Sequence, residues 1–129
     1  MTGRILVALS LSILFVALTV RAEDLAPSIS PQDLSQKLKD GTAPLIVDVR
    51  SPQEFATGHI PGALNIPHDQ IGQHLDLMRS DHGVALYCML GPRARLGEQK
   101  LLEAGVERVL HIDGGFSAWK AAGLPTSEE

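Results

Sequence analysis

The chain contains a single cysteine, Cys88, in a sequence of 129 residues. An intramolecular disulfide is therefore excluded, and Cys88 is either a small buried apolar residue or a thiol kept for its reactivity. The sequence also lacks the ligand spacing of a zinc site, because its histidines are not spaced as ligands and there is no second cysteine. We therefore expect no metal at His68, His74, His82 or His111.

A clustered basic face, which nucleic-acid-binding proteins need, is also missing. Lys and Arg number 11 against 15 Asp and Glu, the formal net charge is -4, and the basic residues are scattered. Hydrophobic residues make up 44% of the chain, which is enough to build a core and argues against disorder. The length suits one domain. Composition thus predicts one globular domain that does not bind nucleic acid.

The amino-terminal residues form a separate segment. Arg4 precedes an apolar run of 16 residues, Ile5 to Val20, and Arg21-Ala22 follow. This is the pattern of a secretory signal cleaved after Ala22. The alternative is an uncleaved membrane anchor, although a spanning helix needs about 20 apolar residues. We expect residues 1–22 to be removed, leaving a domain of residues 23–129 with a net charge of -6 because two arginines are lost. The protein would then be periplasmic or secreted, with no stable membrane association.

Apolar runs alternate with amphipathic segments along residues 23–129. The runs Leu45–Val49, Val84–Tyr87 and Arg108–Ile112 are typical of buried parallel strands. Between them lie helix signals, such as serine-proline pairs in which the serine can cap the helix and the proline suits its first turn. A weaker helix is predicted over His68–Met78. This alternation predicts an α/β fold with a small central parallel sheet and helices on both faces.

Cys88 directly follows the predicted strand Val84–Tyr87, and functional residues of parallel sheets lie at the carboxyl ends of strands. A nucleophilic cysteine needs a stabilised thiolate. The N–H groups of a tight loop at Gly91, the positive end of the following helix, and the charge of Arg93 could each supply that stabilisation. Arg95 could add charge or simply face solvent. The pattern therefore favours a reactive thiol.

Three motifs resemble those of the rhodanese superfamily. Cys88-x-x-Gly91-x-Arg93 is similar to its six-residue active loop. The segments that resemble its amino-terminal signature are Asp48-Val49-Arg50, Glu54-Phe55, Gly58-His59-Ile60-Pro61-Gly62-Ala63 and Asn65-Ile66-Pro67. Asp113-Gly114-Gly115-Phe116, with Ala118-Trp119 close behind, is similar to the carboxyl-terminal signature. The resemblance implies a rhodanese-like three-layer fold and a single-domain, exported enzyme of the thiosulfate sulfurtransferase type.

The resemblance implies that sulfane sulfur is moved through a persulfide on Cys88, the catalytic residue. The donor would be thiosulfate or a persulfide, and the acceptor a thiol, which can belong to a protein, or another nucleophile. No metal or organic cofactor is implied. The loop residues implied to bind substrate are Met89, Leu90, Gly91, Pro92 and Arg93.

Features of the same loop leave the donor and two other functions open. Pro92 has no N–H to donate. Met89 and Leu90 make the mouth of the pocket formed by this loop more apolar than a small dianion favours. A non-catalytic rhodanese-like module that binds a partner is one alternative, although such modules commonly lack the cysteine. A phosphatase or arsenate reductase is another, but its longer loop would place arginine at position 94, where this chain has Ala94.

The remaining motif residues are interpreted as structural. A hydrogen-bonded corner after the first long strand would use Asp48, Arg50 and Glu54. His59 would belong to the scaffold, and Phe116 and Trp119 would pack the last helix. The pair Gly114-Gly115 would permit a tight turn from strand to helix.

Overall fold

A computed structural model describes residues 25–129 of the chain. The signal peptide predicted for residues 1–22 lies outside these residues and stays a prediction. Within residues 25–129, no helix is both long enough and apolar enough to cross a membrane.

The described chain alternates strands and helices as the sequence predicts. The strands are β1 (Ser28–Ile29), β2 (Leu45–Asp48), β3 (Leu64–Asn65), β4 (Val84–Tyr87) and β5 (Val109–Ile112). The helices are α1 (Pro31–Asp40), α2 (Pro52–Ala56), α3 (Pro92–Glu103) and α4 (Gly115–Ala121), with a 3₁₀ helix at His68–Gln73.

All five strands are parallel and form one sheet in the order β1-β5-β4-β2-β3. The central strand β4 is paired with β2 on one side and β5 on the other, and its four residues are fully buried. Such burial on both faces explains why its sequence is a continuous apolar run. Because the strands are parallel, their carboxyl ends meet at one edge, and Cys88 lies there.

Local sequence fixes where the helices begin. The Ser30 side chain accepts a hydrogen bond from the Asp33 N–H at 3.0 Å at the start of α1. At α2, Ser51 and Glu54 form a reciprocal capping box. Each serine satisfies an N–H that has no partner inside the helix. The serine-proline pairs in the sequence were thus sufficient to predict both helix starts.

The core has two halves, one on each face of the sheet. One half packs β2 and β4 side chains against α3 and the 3₁₀ helix, with Leu86, Leu101 and Ile71 fully buried. The other packs them against α1 and α4 and contains Leu34 and Trp119. Helices therefore cover both faces, which confirms the predicted three-layer α/β fold.

Two local features differ from the sequence prediction. The first is β1, which was not predicted because two residues are too few to show a periodicity. The second is the segment His68–Met78, where only His68–Gln73 is helical and the helix is of the 3₁₀ type. Gly72 lies inside the segment, and an internal glycine costs a helix about 1 kcal/mol relative to alanine. So short a segment does not offset that cost.

Candidate active site

Cys88 lies in a loop that joins the end of β4 to the start of α3. Its side chain is 1% exposed, and its Sγ accepts a hydrogen bond of 3.0 Å from the Gly91 N–H. Gly91 has φ 143°, a conformation that favours glycine, and it is the residue that precedes α3. The positive end of the twelve-residue α3 is therefore directed at the sulfur. This arrangement places the Gly91 N–H and the amino terminus of α3 beside the sulfur.

The first turn of α4 supports the other side of the loop. The N–H of Phe116 donates to the Cys88 carbonyl at 2.8 Å, and the N–H of Ser117 donates to the Met89 carbonyl at 3.0 Å. Gly115 makes this approach possible, because a Cβ there would lie 2.5 Å from the Cys88 carbonyl oxygen. Gly114-Gly115 therefore does more than turn the chain: it brings α4 against the backbone of the cysteine loop.

We predict that Gly115→Ala lowers the free energy of unfolding by more than about 1 kcal/mol. Because the cysteine loop must move away from the new Cβ, the variant should also react more slowly with a thiol reagent at Cys88. The matched control is Gly123→Ala. Gly123 has φ 69°, close to the 62° of Gly115, but a Cβ there meets nothing within 4 Å. Urea unfolding and iodoacetamide rates measure both variants. Equal effects in the two variants would show that backbone strain, and not the approach of α4, is responsible.

Arg93 closes the loop, and its guanidinium is held by Glu54. The two Arg93 Nη atoms donate to the two Glu54 carboxylate oxygens at 2.7 and 3.1 Å. This pairing, aided by hydrogen bonds from Ser51, lowers the pKa of Glu54 to about 2 despite partial burial. The same pairing raises the pKa of Arg93, with a smaller contribution from the nearby Cys88. Near neutral pH, Arg93 and Glu54 therefore form a two-point ion pair at the mouth of the loop.

The rest of the mouth is apolar. Leu90 is 68% exposed at the tip of the loop, and Met89 is half-buried against the α4 side of the core. Pro92 is exposed at the first position of α3 and offers no N–H. The groups around the buried Cys88 are thus apolar side chains, the Gly91 N–H and an arginine whose charge is balanced by Glu54.

The structure separates Glu54 from the corner in which the sequence interpretation placed it. That corner consists of Asp48 and Arg50, which are fully buried and joined by hydrogen bonds of 2.6 to 3.0 Å. Glu54 instead caps α2 and reaches Arg93. The sequence suggested that Arg93 could offer its positive charge to the thiolate, but in the structure that charge is paired with Glu54. The spacing of the motifs does not show which carboxylate reaches the loop, so the sequence could not predict this pair.

Arg95 points away from the sulfur. Its Nη1 donates to the Ala26 carbonyl at 2.9 Å and to Glu98 at 3.1 Å. Glu98 in turn contacts the His111 Nδ1 at 2.7 Å, and both residues are buried behind the loop. Sequence reasoning missed this pair, since its members lie on α3 and β5 without any spacing signal. Across residues 25–129, no three His, Cys, Asp or Glu side chains are grouped to hold a metal ion.

The other residues interpreted as structural are indeed parts of the scaffold. His59 is buried, stacks on Phe55 with ring centroids 3.6 Å apart, and bonds through its two ring nitrogens to the Phe55 and Glu129 carbonyls. Phe116 and Trp119 are buried on the α4 side of the core, as predicted.

Comparison with known proteins assigns the chain to a family. The model of the rhodanese-like domain matches residues 30–122, which include the strand, loop and helices that hold Cys88. The chain belongs to the rhodanese family. The match covers all of the described helices and four of the five described strands, and the predicted fold class is confirmed.

Individual relatives point in the same direction. A sulfurtransferase of Allochromatium vinosum is 39% identical over 97 residues, which cover 75% of this chain and 91% of that protein. A rhodanese-related protein of Thermoplasma volcanium has a TM-score of 0.71 at 28% identity and covers 80% of this chain and 99% of its own. A human single-domain sulfurtransferase has a TM-score of 0.65 at 27% identity, with coverages of 74% and 96%. This rhodanese domain is therefore similar to proteins named as sulfurtransferases.

Proposed function

We propose that this rhodanese domain is an active sulfurtransferase that carries sulfane sulfur as a persulfide on Cys88. The observation that carries the proposal is the 3.0 Å hydrogen bond from the Gly91 N–H to Sγ at the amino terminus of α3. A purely structural buried cysteine has no need of a donor aimed at its sulfur or of a helix terminus beside it. The similarity to proteins named as sulfurtransferases supports the same conclusion.

The proposed reaction consists of two displacements. The Cys88 thiolate attacks the outer sulfur of a donor such as thiosulfate, the donor S–S bond breaks, and its electron pair leaves with sulfite. In the second step an acceptor thiolate attacks the outer persulfide sulfur, and the Cys88 thiolate is the leaving group. Charge and electrons balance in each step without a further oxidant. Such covalent catalysis divides one transfer into two and gives ping-pong kinetics.

The loop residues have distinct proposed roles. Gly91 donates its N–H to the sulfur, and the start of α3 stabilises the negative charge that remains on the persulfide. Met89 and Leu90 contact the carrier group of the donor. Pro92 fixes the first turn of α3, and Arg93 fixes the end of the loop through Glu54.

The test is persulfide formation on the purified protein. Incubation with thiosulfate, benzenethiosulfonate or an inorganic polysulfide is expected to add the mass of one sulfur atom, located at Cys88 by peptide mapping. A small thiol should remove that sulfur again. If none of the three donors produces the adduct, the enzyme proposal is wrong and a binding module becomes the better description.

A further inference from the structure

We propose that Glu54 is a specificity-determining residue that directs this active site toward sulfur donors with one negative charge and an apolar carrier, and away from dianionic thiosulfate. The inference rests on the proposed sulfurtransferase function and names its class of donor. It follows from three properties of the loop mouth, which are the pairing of Arg93 with Glu54, the attachment of Glu54 to α2, and the exposed apolar surface.

The first property is charge. Arg93 is the one basic residue of the loop 88–93, and each of its two terminal nitrogens donates one hydrogen bond to Glu54. Arg93 and Glu54 together contribute no net charge to the mouth, since the carboxylate stays ionised far below neutral pH. A thiosulfate dianion that approaches the Cys88 thiolate is therefore repelled twice as strongly as a monoanion, and only the Gly91 N–H and the amino terminus of α3 oppose the repulsion.

The second property is the way in which the start of α2 holds the Glu54 carboxylate in place. Glu54 is fixed at the third position of α2, where its carboxylate accepts from the Ser51 hydroxyl at 3.2 Å and lies 3.4 Å from the Ser51 N–H, while its own N–H donates to Ser51 Oγ. The capping box therefore holds the carboxylate in place, and Arg93 meets a positioned partner. Release of Arg93 to a substrate would require breaking a two-point contact that α2 already supports.

The third property is the surface that a donor touches. Leu90 is exposed at the loop tip and Met89 is half-buried beside it. An aryl or alkyl carrier can bury these side chains, and each Å² of apolar surface so removed from water contributes about 25 cal/mol. A sulfonate group of thiosulfate gains nothing from the same contact.

Two donors with the same reacting bond test the inference. Benzenethiosulfonate carries one negative charge and an aryl group, and its reaction with Cys88 releases benzenesulfinate, just as thiosulfate releases sulfite. We expect wild-type protein to prefer benzenethiosulfonate. In Glu54→Gln, kcat/KM for thiosulfate should rise about tenfold, mainly through a lower KM, while that for benzenethiosulfonate changes less than about threefold.

Glutamine suits this experiment because it can keep the capping box while removing the charge. The matched control is Glu107→Gln, which removes one negative charge from an exposed residue just before β5, at the opposite edge of the sheet from Cys88. That variant should leave the ratio of the two kcat/KM values unchanged. The gain for thiosulfate in Glu54→Gln should also shrink as salt increases, a dependence that a merely structural role would not produce.

The outcomes separate this inference from the proposed function. If donors load sulfur on Cys88 but Glu54→Gln leaves the ratio of kcat/KM values unchanged, the specificity role is wrong and the sulfurtransferase proposal stands. Equal losses for both donors in Glu54→Gln would likewise contradict it, and would assign Glu54 to positioning of the loop. If no donor loads wild-type Cys88, the proposed function itself fails.

Discussion

Replacing Cys88 with serine is expected to lower the rate of sulfur transfer by at least about 10³-fold, because a hydroxyl cannot form the persulfide through which the sulfur passes. The effect should appear in kcat and in kcat/KM together, since no other residue of the chain carries a thiol. Steady-state transfer from benzenethiosulfonate to a small thiol measures the rate. The intact mass of the variant should also stay unchanged after incubation with the donor.

Serine is the informative replacement because it preserves the local hydrogen bond. The Gly91 N–H that donates to Sγ can donate to a serine hydroxyl in nearly the same place. We therefore expect Cys88→Ser to remain folded, with a urea midpoint close to that of wild type. Turnover that persists in a folded Cys88→Ser protein would show that the sulfur is not carried on this residue.

The same variant separates an enzyme from a partner-binding module. A module that binds a protein through the loop surface should keep its affinity in Cys88→Ser, because the exposed Leu90 and the backbone are unchanged. The phosphatase alternative is less compatible with the structure. Ala94, the position where its longer loop would need arginine, is fully buried inside α3 and faces the core. Hydrolysis of an aryl phosphate that depended on Cys88 would revive that alternative.

The sequence predicted the parts of the fold in which local signals and burial agree. Val84–Tyr87 is apolar throughout because β4 is buried on both faces, and the serine at each of two helix starts caps it. Cys88 could be placed at the carboxyl end of β4 for the same reason. These features depend on residues close together in the chain, so one sequence contains the information.

What the sequence could not supply were contacts between distant residues. Glu54 and Arg93 are 39 positions apart, and Arg50 offered an equally reasonable partner for Glu54. The sequence likewise did not predict the Glu98–His111 pair, because its two residues lie on different elements, the inner face of α3 and β5. In each case the choice of partner is made by the packing of helices on the sheet, which a spacing pattern does not encode.

The buried corner formed by Asp48 and Arg50 should be highly sensitive to mutation. Arg50 is 1% exposed and bonds to the Asp48 carboxylate and to the Gly58 carbonyl at 2.7 Å. Burial alone would lower the pKa of Arg50, but the bonds to Asp48 raise it. We expect Arg50→Met to destabilise the fold by about 3–5 kcal/mol, because it leaves the Asp48 carboxylate buried without its cation.

The control for this prediction is Arg79→Met, which removes an exposed arginine that donates to the Ala104 carbonyl. That change should cost less than about 1 kcal/mol, since the freed groups are reached by water. The double variant Asp48→Leu with Arg50→Met should be less destabilised than the two single changes predict together, because the second replacement removes the orphaned charge. Urea unfolding of wild type, Arg79→Met, the two single variants Asp48→Leu and Arg50→Met, and the double variant measures these differences. If Arg50→Met and Arg79→Met unfold at the same urea concentration, the prediction is wrong. The buried Asp48–Arg50 pair would then contribute no more to stability than an exposed arginine does.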